Sequence, residues 1–437
     1  MIPEHKKNMF KYEENIKKCS TLAEMHLPVE GKEIRSFHQI SKHKTGWYLS
    51  AWKNMKKENT PINPELVRYK ADTYPYHGLF QTLLSTVVPS IKVKKEYMDT
   101  HKIRFCDDLF VNMISEFSLS FNGKEIFRSN MTSLKISERN KKEEKEIGNL
   151  SCLTNWTDKI DSCPISIRLP WPYTHDKSDY FPLQLCGEKD ILEHTVDFRL
   201  DIKNFLLMEK EGEMIDLDTE VLDIQSNIES FPVPEMEGLY TSLTENECQH
   251  GACVGDPRNQ KPDIYIKTES YIEKQDQCLG KKVFFKFDQE GKVPVNRIYW
   301  GSVNEKMSRE QKNLIFVNRN GKSTVRKTSL KDNAGIIYDK KESYKTEKTY
   351  HLGKNYKTFE GISIWENNIL ETEDSRKFSP SILIDEGNMT IYLSEEEHKE
   401  DRYTVFVIVK KIVRYRFTSY PQNQEERLKK GATLTML

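Results

Sequence analysis

Between Cys163 and Met208 the chain carries two stretches in which apolar and polar residues alternate. Ile165, Ile167 and Leu169 alternate with Ser166 and Arg168, and Val196, Phe198 and Leu200 alternate with Asp197 and Arg199. A period of two sends successive side chains to opposite faces of a pleated strand, so each stretch reads as a strand with one buried and one wetted side. Pro170 ends the first strand, and an aromatic loop from Trp171 to Phe181 follows it. A chain patterned this way has to pack sheets.

The same texture recurs. Phe117, Leu119 and Phe121 alternate with Ser118 and Ser120, and Asn122-Gly123 then supplies the two positive-φ positions of a type I′ hairpin turn leading to Ile126 and Phe127. Leu83 to Val88 is a β-prone run stopped by Pro89, and Tyr74 to Gly78 reads as a turn. Val283, Phe285 and Phe287 alternate, as do Met389, Ile391 and Leu393, and Val413, Tyr415 and Phe417. Val405 to Val409 is apolar without alternation, which predicts a central strand covered on both sides. The run at 138–148 mixes both charge signs and reads as a solvated helix or loop, and residues 210–260 read mainly as loops. Long amphipathic helices are not in evidence. Many short strands in 437 residues predict two sandwich or barrel domains, with a polar break at 273–281 as the boundary.

Lys plus Arg and Asp plus Glu number 67 each, so no net field draws the chain to nucleic acid, and direct nucleic-acid contact is not expected. The basic positions Arg319, Lys322, Arg326 and Lys327 lack interleaved aromatics and read as a solvated loop. Zero formal charge is compatible with dense self-association. Met1–Lys18 has no apolar core of a secretory signal, and no run approaches a membrane-spanning length. Eight cysteines are thinly spread, so a leaderless, largely reduced protein of cytosolic origin is expected. The glycosylation patterns at Asn130, Asn149, Asn155 and Asn388 are then read as chance matches.

Candidate chemistry is sparse. Cys248, His250 and Cys253 are weak zinc candidates, because their spacing is irregular and only Cys278 lies near; a disulfide or free thiols is the blander reading. Neither a nucleophile elbow nor a glycine-rich phosphate loop occurs, so no catalytic residue, no cofactor and no enzyme activity is expected. Cys106, Cys163 and Cys186 sit in or beside β segments and read as core thiols, and Asp107-Asp108 reads as a turn or strand start. His175 and Asp176 read as a surface or interface loop. Trp171, Tyr173, Tyr180 and Phe181 surround one polar loop; they either pack beneath the sheet or anchor a subunit interface.

Four blocks carry a family resemblance. The segment from Ile165 to Leu200 resembles the central block of the double jelly-roll major capsid proteins of nucleocytoplasmic large DNA viruses. The Leu-Pro-aromatic element falls on Leu169, Pro170 and Trp171, the Pro-Leu run on Phe181, Pro182, Leu183 and Leu185, and the following strand on Val196, Phe198 and Leu200. The stretch from Ile103 to Phe127 resembles the family's early strand pair, PDIYIKTESYI its last strand of the first roll, and TVFVIVKKIVRYRF its closing strand. Lys177 to Tyr180 stand where the family has a glycine and an alanine, which marks the chain as a divergent member.

The resemblance implies an all-β fold of two consecutive eight-stranded antiparallel jelly rolls. It implies a flexible N-terminal arm at 1–35, a first roll with inserted loops at 36–275, a second roll at 276–425 and a C-terminal tail at 426–437. It implies a structural capsid protein that forms homotrimers, pseudo-hexagonal capsomers that tile an icosahedral shell. Expected partners are neighbouring capsomers, minor capsid proteins and, by peripheral contact, an inner viral membrane. The expected location is the virion capsid, after assembly in the host cytoplasm. Alternatives are a minor capsid or assembly-scaffold paralogue, or a jelly-roll carbohydrate-binding module or enzyme.

Overall fold

Period-two segments become strands because alternate side chains find a dry face. The computed structural model describes residues 49–59, 63–73, 78–140, 151–173, 181, 183, 186, 189–224, 229–242, 263–276, 282–287, 293–317, 328–331, 356–359, 362–366, 382–392, 402–418 and 433–436. The principal strands of the first half are β1 (Leu49–Asn54), β2 (Leu66–Ala71), β3 (Gly78–Val88), β4 (Ile114–Phe121), β5 (Lys124–Asn130), β6 (Cys163–Ile167), β7 (Leu192–Phe198) and β8 (Glu235–Ser242). Along β7, Leu192, His194, Val196 and Phe198 are all buried, with the residues between them half exposed. Asn122 and Gly123 take φ of 50° and 77° and turn β4 into β5.

These strands make two sheets. One runs β1-β8-β3-β6; the other runs from the short Lys56–Asn59 strand through β2-β7-β4-β5, and every pair is antiparallel. The chain changes sheet at buried Met55, whose N–H donates to Met236 O at 2.9 Å. One core joins the inner faces and includes Tyr69, Leu84, Phe117, Trp171, Val196 and Tyr240. Two three-stranded sheets flank it, one of Glu213–Ile215, Leu206–Lys210 and His101–Phe105, the other of Leu222–Ile224, Ile91–Val93 and Lys159–Ile160.

The second half repeats the strand order. Its principal strands are β9 (Asp263–Asp276), β10 (Lys282–Phe287), β11 (Val293–Asn304), β12 (Thr328–Lys331), β13 (Tyr356–Phe359), β14 (Ile362–Glu366), β15 (Ile382–Tyr392) and β16 (Tyr403–Thr418), with short strands at Phe316–Val317 and Thr433–Met436. One path runs β9-β16-β11-β14, matching β1-β8-β3-β6; a second runs β10-β15-β12, matching β2-β7-β4. Here β13 pairs with β14, and Val293–Val295 of β11 pairs with β15, so the two paths merge into one ten-stranded sheet. Val405 to Val409 of β16 are all 0% exposed, as their unbroken apolar run predicts.

Helices are short. The first, α1 (Leu109–Asn112), follows Asp108, which takes φ 56°. The second, α2 (Met131–Asn140), leaves the end of β5 and is capped by Asn130 Oδ1, which accepts from Ser133 N at 3.0 Å. The third, α3 (Ser151–Thr154), is a single turn, and α4 (Glu305–Glu310) follows β11 and is capped by Asn304. Among the described residues no helix is long and apolar enough to cross a membrane.

Three expectations need correction. The PDIYIKTESYI segment, expected to close the first roll, pairs along the whole of β9 with β16 of the second half. The strand that lies between β1 and β3 is β8, inside the stretch read as loops. Its inward row is Met236, Gly238 and Tyr240, and the glycine interrupts the apolar period. A Cβ on Gly238 would meet Met55, Tyr240 and Leu79 side-chain atoms at 2.7, 2.8 and 2.9 Å, so the close packing around this inward position favours the residue that hides the strand. The expected C-terminal tail contains a strand, Thr433–Met436, paired with Tyr415–Thr418. The described strands form several antiparallel sheets rather than a closed eight-stranded barrel. The expected arm at 1–35 and the charged residues 141–148 lie outside the described residues.

Gly238→Ala is expected to lower the free energy of unfolding by about 1–3 kcal/mol through overpacking. A urea titration checks it, and an unshifted midpoint would show that the three neighbours give way freely.

Candidate functional site

Three aromatic residues after β6, Trp171, Tyr173 and Phe181, belong to the first-half core. Trp171, Tyr173 and Phe181 are fully buried. Leu169 to Tyr173 lies between the sheets, and Phe181 exchanges two backbone hydrogen bonds with Leu79 at the start of β3, at 3.1 and 2.8 Å. A buried indole N–H needs an acceptor. Trp171 Nε1 donates to Thr82 Oγ1 of β3 at 2.7 Å. The ring meets Phe117 of β4 edge-on at 5.2 Å between centroids, and His194 of β7 at 4.8 Å. One side chain thus touches both sheets. Tyr173 packs edge-on against Phe181 at 6.2 Å, and Phe181 meets Phe121 at 6.0 Å.

His194 is the member that the sequence reading passed over, although its place in the buried row of β7 is legible from the alternation. Its Nε2 shares a 2.7 Å hydrogen bond with the Tyr173 hydroxyl. Burial pushes its pKa down to about 3. Burial also holds the Tyr173 hydroxyl well above its ordinary value. The imidazole is therefore neutral at physiological pH and acts as a packing and hydrogen-bonding group.

Cys106 is buried and its thiol is pushed up to about 12, mainly by desolvation, with the Asn112 amide opposing at 3.6 Å. Such a thiol carries almost no thiolate at neutral pH. Cys186 is buried and Cys163 half-buried. Asp107 and Asp108 lie in the turn before α1, and Asp108 pairs with Lys135 at 3.1 Å. Among the described residues no group of three or more His, Cys, Asp and Glu side chains could hold a metal ion. Tyr180, His175, Asp176, Cys248, His250, Cys253 and Arg319 to Lys327 lie outside the described residues.

Strand pairing and core together define an all-β, multi-sheet architecture of the jelly-roll kind. Solved structures of viral capsid proteins share it. The chain is similar to the Faustovirus major capsid protein, with a TM-score of 0.57 and 8% identity over 85% of this chain and 91% of that one. It is similar to PBCV-1 VP54, fitted into a reconstruction of the virophage Sputnik, with a TM-score of 0.52 and 7% identity over 89% and 97%. It is similar to a chain of the PBCV-1 virus capsid, with a TM-score of 0.50 and 7% identity over 85% and 95%. No protein-family model matches the sequence, and no curated protein matches it. The likeness is one of fold, shared with solved viral capsid proteins at 7–8% identity.

Two outcomes follow. Trp171→Ala is expected to cost about 3–5 kcal/mol of unfolding free energy. Chemical denaturation measures it; unchanged stability combined with lost self-association would assign the ring to an interface instead. His194 titrates near 6.5 when unfolded and near 3 when folded. Its contribution is therefore complete above the unfolded value and drains as pH falls, by up to about 1.4 kcal/mol per unit. Unfolding free energies of wild type and His194→Gln, measured from pH 7 to 4.5, should diverge in slope by nearly one proton. Parallel slopes would mean that the imidazole is wetted.

Proposed function

We propose that this chain is a structural capsid protein of a large DNA virus, built from two jelly rolls in tandem. The observation that carries the reading is the repeated strand order, β1-β8-β3-β6 answered by β9-β16-β11-β14. In a jelly roll two Greek keys interleave eight strands into two facing sheets, which draws the first and last strands together. The pairs β1·β8 and β9·β16 both have that relation. The first roll then closes with β8 and the second opens with β9, so the division falls in residues 243–262.

In this reading the protein works through its shape. Three copies associate into a pseudo-hexagonal capsomer, capsomers meet one another and minor capsid proteins, and the inner face meets a viral membrane peripherally. Equal numbers of basic and acidic residues favour such lateral packing, because neighbouring copies do not repel. Trp52 of β1 and Val87 of β3, exposed on strands of one sheet, offer apolar contact area. The protein is non-catalytic, assembles in the host cytoplasm and resides in the virion.

Sedimentation of the purified protein, with negative-stain microscopy, tests the reading. A trimer of the 51.4 kDa chain with a flat-sided outline is expected. A persistent monomer, one that forms neither trimers nor lattices even beside co-expressed coat proteins, would sink it.

A further inference from the structure

We infer that Lys135, Asn313 and Lys312 key the two halves together through a buried polar joint, and that this joint makes the halves open and close as one unit. The inference rests on contacts within one chain and does not depend on the capsid reading.

The helix α2 belongs to the first half by sequence but buries Ile136 among Tyr299, Val303, Ile362, Phe406 and Ile408 of the second. The residue beside it, Lys135, is 1% exposed. A buried ammonium is tolerated only where partners replace its water. Lys135 pairs with Asp108 Oδ2 at 3.1 Å within the first half and donates to Asn313 Oδ1 of the second. The same Asn313 oxygen accepts from Asn112 Nδ2 at 3.0 Å. Its two lone pairs are thus both used, and both donors come from the opposite half.

Asn313 is held in place by its own half. Its N–H donates to Ser308 O at 3.0 Å, and Ile315 N donates to Ser308 Oγ at 2.9 Å. Lys312, immediately before it, adopts φ 48°, a conformation disfavoured for a side chain of this kind. That backbone aims its ammonium into the first half, where it donates to Leu206 O at 2.8 Å and to Lys203 O. A parallel contact joins the strands: Glu269 of β9 pairs with Lys410 of β16 and accepts from Ser129 of β5, and Lys410 also donates to Ser133 Oγ of α2 at 3.3 Å.

Interfaces between units of one chain usually permit relative motion unless they are large and apolar. This one joins apolar contacts at Ile136 and Tyr415 to reciprocal polar ones. When either half opens, the other loses acceptors for cations it has already desolvated, so separate opening is penalised on both sides.

Hydrogen exchange of the full-length chain, read peptide by peptide, tests this. In the wild type the slowest amides of β7 and of β16 should report the same opening equilibrium. Asn313→Leu and Lys135→Met should each let one half exchange at least about tenfold faster than the other, while the exposed control Lys92→Ala leaves the two equal. If Lys135→Met does not fold, Asn313→Leu alone decides. The inference is overturned if the halves already differ in the wild type, if both accelerate by one common factor, or if neither responds.

Discussion

Tyr403–Thr418 has a hydrogen-bonded neighbour on each edge, and its Val405–Val409 run is apolar on both faces. Much of the second half follows from that pair of demands. A strand dry on both faces cannot leave a backbone edge unpaired, because each orphaned amide or carbonyl would be buried without water. One edge takes β11, and the other takes β9 from end to end. This recruits a segment that sequence order alone would assign to the first half. Covering the Phe406 and Ile408 face then falls to α2, which is how the first half becomes attached.

The first half solves a different problem with the same materials. Its two sheets must be bridged by something wide, and Trp171 supplies the width while Thr82 satisfies its single polar atom. The groups that could have done chemistry are stilled by the burial that makes them useful for packing. His194 stays neutral, Tyr173 stays protonated, and Cys106 stays a thiol. Desolvation explains all three directions, since it disfavours whichever form carries charge.

How far the fold was legible in the sequence depends on how local each determinant is. Alternation located β4, β6, β7 and β16, and the positive-φ pair Asn122-Gly123 located one hairpin, because these are properties of neighbouring residues. Alternation says which face of a strand is buried and nothing about which strand lies beside it. The allegiance of β9 was therefore invisible, and β8 was lost because packing against Met55 and Leu79 requires Gly238 at its inward centre. Trp171 left two readings open in the sequence, beneath the sheet or at an interface, and its burial is visible only with Thr82 and Phe117 around it. Lys135 gave no signal at all. A lysine in a helix is exposed by default, and its burial makes sense only beside partners distant in sequence, Asp108 and Asn313 among them.

The low identity with the capsid structures, 7–8% across most of the chain, follows from the same division. A sheet face accepts almost any apolar residue of suitable size, so a strand order can persist while nearly every side chain changes. Some positions carry tighter geometric demands. Gly238 is one, fixed by atoms less than 3 Å from an absent Cβ. Asn313 is another, since its one oxygen must serve two donors from across the joint. The apolar pattern thus specifies an architecture open to many sequences. Reciprocal polar contacts at Lys135, Asn313 and Lys312 tie this chain's two halves together.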